Sequence, residues 1–178
     1  MDFVKLALQL GAHKAARIAT EQLCFSEDFL AACEQNYCGR YGKNYTCPPH
    51  VGEIGALIEK IRRRETAVIW QTVHELEDSY DYEGMRRGQE MHHKITREIA
   101  RQARALVPDV LALCPGGCFL CDDCAVNTDE PCRCPGEAIS SLEAHGIDVA
   151  QIERVSELKY VNGVNTVTYF SGLFLNAA

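Results

Sequence analysis

Six of the chain's ten cysteines fall between Leu113 and Pro135, in a loop rich in glycine and proline. Within it, Cys118, Cys121 and Cys124 stand at two successive Cys-x-x-Cys intervals. This spacing lets three thiolates converge on one small inorganic core while the backbone turns around it, which is the ligand pattern of a cubane iron–sulfur cluster. Cys132 follows after a seven-residue excursion, with Pro131 and Pro135 stiffening its approach, and is the expected fourth ligand. Cys134-Pro135, a Cys-Pro pair of the ferredoxin kind, is the competing fourth ligand. Zinc is the competing metal, since it too accepts four thiolates. Its usual sites, however, join two separated Cys-x-x-Cys knuckles rather than drawing three cysteines from one unbroken run.

A second group precedes it, Cys33, Cys38 and Cys47, spaced by four and then eight residues among turn formers. Three thiolates can hold three corners of a second cluster, leaving the fourth to another residue, a water or a substrate. His50 and Cys114 are the candidates for that corner. The segment reads as too irregular for a helix or strand core, and Pro48-Pro49 closes it.

The elements that must position these loops read as an α/β chain. Phe3, Leu6, Ala7 and Leu10 predict a first helix that Gly11 ends or bends before helical spacing resumes over 12–17. Residues 18–25 predict an edge strand with Cys24 as a small buried hydrophobe between Leu23 and Phe25. Ile54, Leu57, Ile58 and Ile61 mark an amphipathic helix, with Arg62, Arg63 and Arg64 at its favourable carboxyl end. Thr66–Val73 reads as a buried strand with Trp70 in the core, and His74 as its end.

A long helix follows an acidic loop, its apolar stripe expected at Met91, Ile95, Ile99, Ala103 and Leu106. Arg86, Arg87, Arg97, Arg101 and Arg104 form either a solvated face or a basic strip for an acidic or phosphate-bearing partner, and His92 and His93 are weak metal candidates. Residues 107–113, with Pro108 confining their start, predict a strand that delivers the chain straight into the cysteine loop. Residues 136–146 predict a helix capped by Gly146, with His145 pairing with its dipole. Asp148 and Gln151 are expected to cap a further helix, and residues 155–161 and 164–175 to form a hairpin about Asn162-Gly163, with Gly172 marking a bulge. The expected architecture is a single domain over 1–178, with a mixed central sheet, flanking helices and two cysteine-rich metal-binding loops.

At 178 residues the chain suffices for one domain with a real core. Its net charge of −7 argues against a general binder of nucleic acid or anionic membrane, either of which needs a basic surface. The first residues are punctuated by charge, without the apolar run of a secretory signal or a membrane span. A cytoplasmic, reducing setting is therefore expected, in which cysteine motifs mean metal or catalysis more often than disulfides.

Taken together, Leu10-Gly-Ala12, Cys33-x4-Cys38-x2-Tyr41-Gly42-x4-Cys47-Pro48-Pro49, Gly117-Cys118-x2-Cys121-x2-Cys124, Pro131-Cys132-Arg133-x-Pro135 and Ser141–Val149 resemble a family of small cysteine-rich proteins, domain of unknown function 2284, catalogued as predicted metal-binding proteins. The resemblance runs through nearly the whole chain. It implies Cys33, Cys38 and Cys47 as one ligand group and Cys118, Cys121, Cys124 and Cys132 as the other, and does not require cysteine at 24, 114 or 134. It promises a metal and no particular reaction.

The expected function is binding of [4Fe-4S] clusters, one on the Cys118 loop and a second on the Cys33–Cys47 loop, for electron transfer or other redox chemistry with a redox protein partner or a small-molecule substrate. Two alternatives stand beside it. One is an enzyme that keeps one iron open for substrate, with Tyr41, Lys43, His50 and Arg133 as nearby polar groups. The other is a zinc-stapled structural or partner-binding module.

Overall fold

The computed structural model describes residues 1–107 and 109–176. Gly11, at φ +107°, ends α1 (Phe3–Gln9), whose start is capped by Asp2 accepting from the amides of Val4 and Lys5. The chain then runs directly into an edge strand, β1 (Lys14–Ala19), so the helical spacing expected over 12–17 gives way to antiparallel pairing with the next strand. A single 3-10 turn follows at Thr20–Gln22, and Cys24 is exposed rather than buried. Its neighbours Leu23 and Phe25 take the inward positions, Phe25 in a lone bridge to Ile147.

The sheet has the order β1-β2-β5-β3-β4, with β2 at Thr66–Glu75, β3 at Leu111–Cys114, β4 at Ser140–Ser141 and β5 at Thr166–Leu175. Only β3 and β4 run parallel; the other neighbours are antiparallel. Both faces are covered, which explains the near-continuous apolar run in β2. Val68, Trp70, Ala112, Cys114 and Leu173 face α1 and α4 (Tyr82–Leu106). Ala67, Ile69, Leu113, Phe170 and Phe174 face α3 (Ile54–Arg62) and the segment from Leu142 to Leu158. Each fully buried large aliphatic or aromatic side chain contributes about 1.5–3 kcal/mol to holding these layers together. No helix among the described residues is long and apolar enough to cross a membrane.

Several expectations are corrected. The hairpin about Asn162-Gly163 does not form: β5 is flanked by β2 and β3, and residues 155–161 carry no strand. Asn162 instead donates to the carbonyl of Lys159 and the hydroxyl of Thr168. Gly172 makes no bulge, since the β2–β5 register is unbroken across it. A Cβ there would stand 2.7 Å from Cδ1 of Ile69, so close packing requires glycine. Residues 136–146 form the short β4 and a 3-10 turn at Glu143–His145 in place of a helix, though Gly146 does cap that turn at φ +72°. Asp148 caps a 3-10 segment, Val149–Arg154, by accepting from the Ala150 amide. β2 continues through His74 to Glu75, and β3 begins only at Leu111; Pro108 lies outside the described residues.

The largest departure is on α4. Met91 and Leu106 are exposed, while His92, His93 and Thr96 are buried along with Ile99, Ala100 and Ala103. These polar groups tolerate burial because the sheet supplies partners. His92 bonds Thr72 Oγ1 at 2.8 Å through Nδ1 and Ser171 Oγ at 2.7 Å through Nε2, and Thr96 donates to the same serine. His93 Nε2 donates to the Pro115 carbonyl at 2.8 Å, which ties α4 to the start of the cysteine loop.

Candidate metal centre

β3 delivers the chain into the cysteine loop, as its position predicts, and β4 receives it after Ile139. Between them, Cys118, Cys121, Cys124 and Cys132 line one small pocket with Asn44, Tyr45 and Thr46. Cys134 lines it too, so both candidates for the fourth thiolate are in place. Arg133, from the same loop, donates to the Asp123 carbonyl at 3.0 Å and holds the 121–124 turn against the 130–134 turn.

The first cysteine group gathers separately. Cys33 lies in α2 (Phe29–Glu34), not in irregular chain, and with Cys38 and Cys47 it lines a cavity of about 250 Å³. Arg40, Tyr41, Ser141 and Glu143 share that lining. His50 does not: it is exposed, with Nε2 on the Gly42 carbonyl and its ring edge-on to Tyr45. Cys114 is fully buried on β3, its thiol directed at the Ile139 carbonyl, and lines neither pocket. Glu143 is the group that sequence reasoning missed, because Ser141–Gly146 reads there as ordinary helix.

The two pockets share a wall. Cys118 donates its amide to Thr46 Oγ1 at 2.9 Å, and Asn44 Nδ2 donates to the Cys118 carbonyl at 2.9 Å. Asn44 Oδ1 accepts from the Thr46 amide and hydroxyl, while Ser140 Oγ donates to the Thr46 carbonyl at 2.7 Å. Tyr45 reaches across to the Glu130 carbonyl. A Cβ on Gly117 would lie 3.0 Å from the Cys47 sulfur, a tight contact, so glycine beside Cys118 lets the two groups come this close without displacing that sulfur.

All ten cysteines are free. Burial is the main cause pushing the thiols of Cys33, Cys118 and Cys134 above their ordinary range, and it carries Cys47 to about 11. Cys114 is pushed up further still by its burial. A metal entering either pocket must therefore displace protons. Among the described residues, no three His, Cys, Asp or Glu side chains stand close enough together to hold a single metal ion. The chemistry of the donor set, four or five thiols in one pocket and three thiols with a carboxylate in the other, suits a thiophilic metal.

The profile of a family described as "predicted metal-binding protein (DUF2284)" matches residues 16–175. The chain belongs to this family. Both cysteine groups, Glu143 and the Asn44–Thr46 wall fall inside the matched span. Comparison with curated proteins and with solved structures gives no match.

Proposed function

We propose that the two cysteine groups of this DUF2284 protein each hold a [4Fe-4S] cluster and that the protein serves redox chemistry. On this reading Cys118, Cys121, Cys124 and Cys132 ligate one cluster. Cys33, Cys38 and Cys47 ligate the other, with Glu143 as the nearby oxygen donor at the fourth corner. Such clusters supply one-electron transfer when bound. The observation that carries the reading is the shared wall: two thiol sets brought side by side through Cys47, Gly117 and Cys118. Two adjacent sets suit passage of electrons between centres.

The chain's own residues do the positioning. Thr46 and Asn44 satisfy the amide and carbonyl of Cys118 and so fix the loop's entry. Arg40, beside Cys47, favours its thiolate against the burial that opposes it. The exchange partner is a redox protein or a small molecule, in a reducing compartment such as the cytoplasm. The test is analysis of anaerobically purified protein. Iron and sulfide in near-equal amounts, with a broad visible absorption that dithionite bleaches, is the expected result. A colourless protein carrying only zinc overturns the proposal.

A further inference from the structure

Beside the two thiol pockets lies a third cavity, of about 450 Å³, whose chemistry is different. Along α4, Arg86, Gln89, Glu90, His93, Lys94 and Arg97 recur at three- and four-residue intervals and present one helical face to it. Opposite stand Arg40, Phe119, Cys121 and Asp122. Arg87, Arg101 and Arg133 are each held by a carboxylate. None of Arg40, Arg86, Lys94 and Arg97 has an ion-pair partner among the described residues. Arg40 is seated over the Phe119 ring, 4.5 Å from its centroid, and that ring is braced edge-on against buried His93 at 5.2 Å.

Four cations without an ion-pair partner outnumber the two carboxylates, Glu90 and Asp122, that line the same concavity, so they repel one another even though this chain is acidic overall. The arrangement becomes favourable when an anion sits between them, since arginine forks match the oxygens of carboxylate and phosphate groups. The cavity has the size of a small-molecule site. Glu90 and Asp122 also line it, and with the net charge of −7 they disfavour the broad face of an acidic protein. We propose that this cavity binds a small oxyanion, a phosphate ester or an organic polycarboxylate, between Arg40 and the α4 cations. Arg40 also lines the three-cysteine pocket and Cys121 the four-cysteine pocket, so a ligand here lies against both candidate metal sites. The binding rests on the cations alone and holds whichever metal the cysteines carry.

The experiment is calorimetric titration of the anaerobically purified protein, its metal content measured, with inorganic phosphate and with succinate at low ionic strength. Saturable binding of either anion is expected, and which one binds distinguishes the phosphate from the carboxylate class. Arg86→Gln/Arg97→Gln should weaken binding at least ~10-fold. Arg62→Gln/Arg63→Gln, matched in charge and placed at the end of α3, should not. Arg86→Gln alone, which retains Arg97 beside the cysteines, must also weaken binding while metal content stays unchanged; that result separates this site from any failure of the metal assignment. No saturable binding of either anion, equal binding by the double variant, or binding of an acidic protein alone overturns the proposal.

Discussion

At the thiols that line the two pockets, a metal would have to displace a proton, and this makes the cysteines separable by substitution. Cys118→Ser or Cys124→Ser should empty the four-thiol pocket while the Cys33 group keeps its metal, so metal per chain falls to roughly half when the two sites are independently loaded. Cys24→Ser, at an exposed position, should leave it unchanged. Cys132→Ser and Cys134→Ser, compared by iron and sulfide analysis, decide which of two thiols in one pocket is the fourth ligand. A second residue-level consequence concerns histidine. Burial holds His92 at about 3, and His93 and His145 at about 4, each below the ordinary imidazole value near 6.5. The unfolded chain therefore takes up protons that the folded chain refuses. This contribution to stability is complete above about pH 6.5 and is lost as pH falls from there towards about 4 for His93 and His145 and about 3 for His92. Urea midpoints should drop through that window, and His92→Gln should show a shallower drop than the parent.

At the scale of elements, what was legible in the sequence was what repeats. The α3 stripe at Ile54, Leu57, Ile58 and Ile61, the buried β2 run around Trp70, and a strand opening into the cysteine loop all follow from periodicity and composition. Three things did not. The strand at Lys14–Ala19 alternates too weakly to be told from helix, because an edge strand buries little. The 3-10 turn at Glu143–His145 shares its composition with an α-helix. The inward face of α4 is polar, and a search for apolar stripes passes over His92 and Thr96. Cysteine spacing located both thiol groups; it could not show that Asn44 and Thr46 join them, since those bonds span more than seventy residues. Asn44→Ala leaves buried partners unsatisfied and should cost roughly 1–3 kcal/mol in denaturant unfolding, with loss of metal from both groups. In the sheet, Gly172→Ala drives a methyl against Ile69 and should destabilise by about 1–3 kcal/mol.

For the molecule as a whole, the covered sheet supplies the rigid layer and the cysteine loops form its less regular end. Metal removal should therefore act unevenly. Under a chelator, hydrogen exchange is expected to rise first in residues 33–47 and 116–141, while the ladder between β2 and β5 stays protected. Uniform exposure of the whole chain would show instead that metal holds the sheet as well. The wall between the pockets also imposes an order on biosynthesis. Cys33, Cys38 and Cys47 leave the ribosome well before Gly117, Thr46's partner Ser140, and Glu143. The earlier thiols thus wait, unroofed, until nearly a hundred further residues have been made, and a nascent chain that meets oxidant during that interval has three bare sulfurs to lose.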